Sequence, residues 1–359
     1  MGGFRGFHRI GLHFLVATTT WLITAAALAN ETAPNVPVRL PSPAQPRLSA
    51  AVLSAFTPLD PAALTSLGQR LVQRFFDRLQ STGLPTGQMG YADGADKEAI
   101  LAVRAILDPA LIVQRADGSY ETFSDYRPVD IDAFTITNLH ATRPAPDLLA
   151  VRYHVATPNA LIPKTGNVAA SEPAPRLSLF RYEPARGEWL LVSHANFNPP
   201  IAQICSHLLP AHSQSHALPA SSSASQLATA SSLVRRWYQD LARDGDDLAR
   251  PGGMLLPKAQ LVYGDGYGRD GDSGYRTVKV GQTATRNFLV REHGNVMVIR
   301  FDALNHLQIA NRAYTDRWQP RLVTLVRDSG SVQSPVWRIA GFAIFSYPRQ
   351  PPDGVPCKQ

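Results

Sequence analysis

The chain contains two copies of one sequence pattern, and this internal repeat most constrains how it can fold. Residues 175–200 open with Pro-Arg-Leu, alternate between apolar and polar residues, cross a polar turn, reach Trp189 and end apolar before a proline. Residues 320–348 repeat these features in the same order, with Trp337 at the position of Trp189. Self-similarity at this spacing is typical of two tandem domains of one type.

Helical patterns precede the strand patterns in both copies. In the first copy, apolar residues recur at helical spacing after Asp60-Pro61, a capping acid followed by a proline suited to a first turn. A shorter helix is predicted at about 96–107, and alternating segments with glycine-containing turns predict strands from Pro109 onward. In the second copy we predict a helix that begins at the Ser231-Ser232 cap, and the 14 residues that would form the shorter helix are missing.

Helices followed by strands predict an α+β fold in which helices pack against one face of a curved antiparallel sheet. The repeat places one such unit in each half of the chain. The predicted segments, in order, are a signal peptide at 1–29, a proline-rich leader at 30–59, a first domain at 60–200, a Ser/Ala-rich linker at 201–228, a second domain at 229–350 and a tail at 351–359.

The first 29 residues have the composition of a secretory signal peptide. Arg5 and Arg9 give a basic start, residues 10–29 are mostly apolar, and Ala27-Leu28-Ala29 supplies the small-x-small cleavage pattern. The apolar core is short for a membrane span, which favours cleavage over a retained anchor. We therefore expect cleavage near Ala29, a periplasmic or secreted mature protein, and no stable membrane insertion after cleavage.

Composition argues against several kinds of site. The formal net charge of +7 comes from basic residues scattered through the strands, so no nucleic-acid partner is expected. Cys205 and Cys357 follow the last strand of each copy, and in an oxidising compartment such a pair more often forms a structural disulfide than a redox site. The spacing of His207, His212 and His216 matches no zinc pattern, so no metal is expected. No cofactor is expected either, because the sequence has no phosphate-binding loop and its one G-x-G-x-x-G match lacks the surrounding βαβ unit.

The leading helix, the hairpin and the late strands ending in tryptophan and phenylalanine resemble the nuclear-transport-factor-like superfamily, and within it the SnoaL-like branch. The resemblance implies two tandem cone-shaped α+β domains, in which each sheet wraps a pocket closed by the N-terminal helices. It implies no particular activity, because relatives include isomerases, cyclases, dehydratases, hydrolases and non-catalytic binding proteins. The residues that carry the resemblance are Leu107–Gly118, Leu149–Val155, Arg176–Phe180 and Trp189–Phe197, with their counterparts in the second copy.

His194 and Asn196 are two residues apart, so they share one face of the last strand of the first copy. If that face lines the pocket, they supply a titratable base and an amide for proton abstraction or carbonyl polarisation, with Tyr153 as an orienting group. On the outer face they would be ordinary polar residues. Phe342 and Ile344 stand at the corresponding positions of the second copy, so a polar site is expected in the first domain.

Arginines also recur at matching positions, Arg152 with Arg300 and Arg176 with Arg321. A guanidinium kept in both copies can hold an anionic ligand. An ion pair that the shared architecture needs is the favoured explanation, since the copies differ so much elsewhere. The candidate ligand-binding residues are therefore Arg152, Tyr153, Arg176, His194 and Asn196.

The favoured interpretation is an exported tandem protein that binds a small apolar ligand or a protein partner without catalysis. The alternative is an enzyme of isomerase, cyclase or hydrolase type in the first domain, acting on a hydrophobic carbonyl-containing substrate. A third interpretation is structural, with the two domains pairing sheet to sheet within the chain.

Overall fold

The computed structural model of the protein describes residues 59–80, 97–157 without 117, 127–130 and 132, 173–197, 222–244, 249, 253–271, 278–309, 312–314, 317–328 and 336–346. The predicted signal peptide, most of the leader and the linker, and both cysteines lie outside these residues, so the predictions made for them stay predictions. In the described part of the chain, no helix is both long enough and apolar enough to span a membrane.

The first domain consists of two helices followed by a six-stranded sheet in the order β2-β1-β6-β5-β4-β3. Its elements are α1 (Pro61–Gln80), α2 (Lys97–Arg104), β1 (Leu107–Arg115), β2 (Tyr120–Thr122), β3 (Thr135–Ala145), β4 (Leu148–Ala156), β5 (Ala174–Glu183) and β6 (Glu188–Asn196).

Helix α1 begins where the sequence predicts, because the Asp60 carboxylate accepts a hydrogen bond of 2.7 Å from the backbone N–H of Ala63. A Cβ on Gly68 would lie 2.9 Å from the Cβ of Ala141, so glycine allows the helix to lie close against the sheet at this point. Its apolar stripe is buried and consists of Leu71, Val72, Phe75, Phe76 and Leu79.

The second domain has one described helix and a sheet in the order β8-β7-β13-β12-β10-β9, with the two-residue β11 at the end of β10. This strand order matches that of the first domain position by position. Its elements are α3 (Ala224–Asp244), β7 (Leu255–Tyr263), β8 (Gly268–Asp270), β9 (Val278–His293), β10 (Val296–Ile309), β11 (Arg312–Ala313), β12 (Gln319–Asp328) and β13 (Val336–Ile344).

The repeat seen in the sequence is confirmed by the strand bounds. Strands β7, β8 and β13 have the lengths of β1, β2 and β6 and begin 148 residues after them. The hairpin turns also match, since Gly118 and Gly266 have φ angles of 85° and 83°, a left-handed conformation that favours glycine. The expected pair of α+β domains with one helix-covered sheet each is therefore present.

Two features differ from the sequence prediction. Strand β1 runs parallel to β6, and β7 to β13, so each sheet is mixed where antiparallel pairing was predicted throughout. The reason is that β6 returns to the centre of the sheet after the β3–β4–β5 meander and arrives in the direction of β1. Helix α3 begins at Ala224 instead of Ser231, because Ser223 and Gln226 form a reciprocal capping box with bonds of 3.0 and 3.2 Å.

The outer faces of the two sheets, those away from the helices, contact each other. Phe197 stacks on Phe345 with ring centroids 4.4 Å apart, and the Asn295 amide donates to Asp147 at 2.9 Å. Both contacts join positions that are 148 residues apart. Ser193 contacts Thr324 at 2.8 Å, and the equivalent positions, Gly341 and Leu179, also meet. Contacts related in this way obey two-fold symmetry, as in an isologous dimer.

Candidate functional site

Four of the five predicted binding residues lie on the sheet face of the first domain that α1 covers, which we call the interior face. Tyr153 is paired across the strands with Arg176, and Arg176 with Asn196. Ser178 is paired with His194 in the same two strands, two residues further along. Directly paired residues of neighbouring strands share a face, so these five side chains project toward the helix.

A short hydrogen-bond chain crosses this interior face. The Nδ1 atom of His194 lies 2.9 Å from the hydroxyl of Ser178, which in turn lies 3.1 Å from the hydroxyl of Tyr153. All three side chains are buried. Helix α1 closes over them, with the ring of Phe75 5.4 Å from the His194 ring and that of Phe76 6.2 Å from the Tyr153 ring.

The two ring nitrogens of His194 differ in their hydrogen bonding. Among the described residues, Nε2 of His194 has no hydrogen-bond partner, whereas Nδ1 is held by Ser178. The hydrogen bond at Nδ1 fixes the orientation of the ring. Nε2 of His194 is therefore a polar atom of fixed orientation, and the helix side of the site next to it is apolar.

Burial keeps these groups uncharged at neutral pH. Desolvation, followed by the positive charges of Arg176 and Arg115, lowers the pKa of His194 well below its usual value. Burial also raises the pKa of Tyr153 to about 12, because it outweighs the opposing hydrogen bond from Ser178 and the charge of Arg176. The histidine therefore acts as a neutral imidazole and the tyrosine as a neutral hydroxyl.

The site contains groups that sequence reasoning missed. Ser178 links the two predicted residues, but only the β5–β6 register reveals its position. Arg115 and Glu121 form a buried ion pair of 2.7 Å, and one guanidinium nitrogen of Arg115 and one carboxylate oxygen of Glu121 remain without a hydrogen-bond partner. The negative charge of Glu121 adds to burial in raising the pKa of neighbouring Tyr126, which is buried as well.

Arg152 does not belong to this group. It lies on the outer face of the sheet, out of phase with Tyr153, and its guanidinium contacts Asp270 of the second domain at 2.7 Å. Its counterpart Arg300 pairs with Asp302 at 2.7 Å. Each therefore takes part in an ion pair, but the two acids do not occupy equivalent positions in the repeat. Arg176 is buried on the interior face and donates to the Pro175 carbonyl at 2.9 Å.

The region of the second domain that corresponds to the His194 site is apolar and nearly filled. Phe301, Val323, Phe342 and Ile344 occupy the positions of Tyr153, Ser178, His194 and Asn196. Two cavities described there have volumes of about 10 and 20 Å³, enough for about one water molecule each. Neither has room for an organic ligand.

No group of three or more histidine, cysteine or acidic residues that could hold a metal ion occurs in the described part of the chain. The hydrogen-bonding groups of the interior face are neutral or cationic, apart from Glu121, which Arg115 engages.

The lowered pKa of His194 predicts a loss of stability in acid. The unfolded histidine takes up a proton below about pH 6.5. The folded one does not. The free energy of unfolding should therefore fall by up to about 1.4 kcal/mol per pH unit from this residue, until the folded pKa is reached. Urea unfolding between about pH 7 and 5 should show a smaller loss for His194→Phe than for the wild type. An identical pH dependence of both proteins would contradict this.

Comparisons with known proteins give structural likenesses alone, since no protein-family profile and no curated protein sequence matches the chain. A nuclear transport factor 2-like protein from Cytophaga hutchinsonii matches at 8% identity and a TM-score of 0.29, over 34% of this chain and 98% of that one. A putative ketosteroid isomerase from Parabacteroides distasonis matches at 10% and 0.24, over 36% and 85%. A type 2 hexachlorocyclohexane dehydrochlorinase matches at 10% and 0.25, over 38% and 98%.

These likenesses concern the fold and carry no argument about activity. Within the chain itself, each domain has a helix packed on a mixed sheet, and six strands follow the same order in both halves. The protein is thus a tandem α+β protein built from two helix-covered sheets of like topology, the arrangement that the sequence resemblance to the nuclear-transport-factor-like superfamily implies.

Proposed function

We propose that the protein binds one small, largely apolar molecule inside its first domain, without catalysis. The observation that carries this proposal is the Nε2 atom of His194, an oriented and neutral polar atom with no partner among the described residues. Such an atom suits a ligand that offers a single hydrogen-bonding group, such as a carbonyl or hydroxyl, on a hydrocarbon body.

The second domain then serves as the packing partner of the first. Aromatic and aliphatic side chains fill the region that corresponds to the His194 site, while its outer face carries the symmetric contacts around Phe345 and Asn295. The second domain keeps the sheet that packs against the first domain. It has Val323 and Phe342 in place of Ser178 and His194, so this region cannot form a hydrogen bond to a ligand. We propose that this intramolecular pair persists in solution.

His194→Phe is the sharpest test of ligand binding, because the second domain already carries Phe342 at the equivalent position. Native mass spectrometry of protein purified from its own compartment should show a retained small molecule on the wild type. Loss of one buried hydrogen bond should lower occupancy by roughly 5- to 150-fold in the variant. The exposed His306 provides a matched control, and His306→Phe should retain the ligand. Equal occupancy of wild type and His194→Phe would refute the proposal.

A second candidate is catalysis in the same place. It is favoured by the chain from His194 through Ser178 to Tyr153, since a neutral imidazole oriented by a hydroxyl can act as a base. In that case Asn196 and Tyr153 would orient a hydrophobic carbonyl-containing substrate. Turnover of such compounds that disappears in His194→Phe would establish the enzyme and overturn the non-catalytic proposal.

We further propose that the protein acts after export, on the strength of the basic start, the apolar core and the Ala27-Leu28-Ala29 pattern. Amino-terminal sequencing of the protein from its native source should find Asn30 as the first residue. A mature chain that still begins at Met1 would contradict export by cleavage.

A further inference from the structure

Arg321 is a cation buried in the second domain. It lies in β12, opposite Ile344 of β13, and its side chain is among the largest fully buried ones, with 1% of the residue exposed. Guanidinium groups stay charged in proteins, so the interior of this domain contains a full positive charge.

The acceptors that surround this guanidinium are all neutral. It donates to the carbonyl of Pro320 at 2.9 Å, to the side-chain oxygen of Asn305 at 3.2 Å and to the hydroxyl of Ser346 at 2.7 Å, and it also bonds to the hydroxyl of Tyr238. Its Nε atom is buried and has no hydrogen-bond partner.

No carboxylate of the described residues forms an ion pair with Arg321. The acid that acts on it through space, Asp302, is engaged by Arg300 at 2.7 Å. A buried charge without a partner is strongly destabilising, and proteins place an opposite charge beside it. The positive charge of Arg321 is therefore not balanced by a negative charge among the described residues.

Arg321 is one of the residues that line a small cavity. Its volume of about 20 Å³ corresponds to one water molecule or one ion of that size. Arg321, Asn305 and Tyr238 are among the residues that line it, together with Trp237, Phe342 and several aliphatic residues. A cavity of this size excludes a carboxylate attached to a hydrocarbon chain but accepts a halide.

We propose that this cavity binds a single water-sized monovalent anion, held by Arg321 with help from Tyr238 and Asn305. The anion supplies the charge that the domain interior lacks and stabilises the packing of α3 on the sheet, because Tyr238 belongs to that helix. The site is independent of the one proposed in the first domain, and nothing is transformed in it.

Bromide in place of chloride tests the site directly. Crystals of the purified protein grown in sodium bromide should give an anomalous peak next to the Nε atom of Arg321. A map with only a water in this cavity, from crystals in concentrated bromide, would overturn the proposal.

Thermal unfolding gives a second readout. Gluconate is too large to enter the cavity and serves as the reference anion. At equal pH and ionic strength, chloride at ten times the dissociation constant of the site should raise the midpoint temperature of unfolding by about 3 °C. Arg321→Met removes the charge at similar length and should abolish this rise. Arg327→Met in the same strand, whose arginine is exposed and paired with Glu292, should keep it. A rise that survives in Arg321→Met would refute the site, and if that variant does not fold, the bromide map of the wild type decides.

Discussion

Phe197→Ala is expected to lower the free energy of unfolding by about 3–5 kcal/mol, the usual cost of deleting a buried phenylalanine. Phe197 and Phe345 stack at 4.4 Å between the two sheets, and their exposed fractions are 0% and 1%. The substitution opens a cavity where the two domains meet, so it weakens their pairing as well as the packing of each sheet.

Urea unfolding of four proteins, the wild type, Phe197→Ala, Phe345→Ala and the double variant, measures this effect. The two rings should be coupled by about 0.5–1.5 kcal/mol beyond the area they bury. Leu101→Ala, at a position that is 63% exposed, should change stability by less than about 0.5 kcal/mol. Strict additivity of the two phenylalanine substitutions would show that the rings do not meet in solution.

Glu121→Gln should destabilise the protein by about 3–5 kcal/mol, because it leaves Arg115 as an uncompensated charge inside the first domain. The two side chains contact at 2.7 Å and are 0% and 6% exposed. Glutamine keeps the shape of glutamate, so the loss reports the charge and not a cavity. The same change also removes a negative charge next to Tyr126, in the interior that we propose for ligand binding.

A matched control exists on the surface. Arg186 and Glu188 contact at 2.8 Å, but both are more than 40% exposed, so Glu188→Gln should cost at most about 1 kcal/mol. Replacing Arg115 and Glu121 together by methionine and leucine should recover much of the stability lost in Glu121→Gln, because no lone charge then remains buried. If Glu121→Gln and Glu188→Gln cost the same, the buried pair is not formed.

Much of the fold follows from local patterns in the sequence. The repeat, the start of α1 at Asp60-Pro61 and the glycine turns at Gly118 and Gly266 each follow from a few neighbouring residues, and the structure contains all of them. Helix α3 begins seven residues before the start that Ser231 predicts, because Ser223 and Gln226 cap it with reciprocal hydrogen bonds.

The candidate site shows the limit of such reasoning. Strand alternation placed His194 with Asn196, and Arg152 out of phase with Tyr153, because successive side chains point to opposite faces. It did not identify Ser178, since the partner of His194 depends on the register between β5 and β6 and on a bulge after Leu179.

The sequence by itself determined which side chains of a strand share a face, that two such domains follow each other, and that the His194 and Asn196 pair occurs in the first copy alone. Only the tertiary structure decided which face a helix covers and which face meets the other domain. The reason is physical: alternation is a property of a single strand, whereas burial depends on contacts between segments far apart in the chain. Because of such contacts, His194 is buried next to Phe75, and Arg152 forms an ion pair with Asp270.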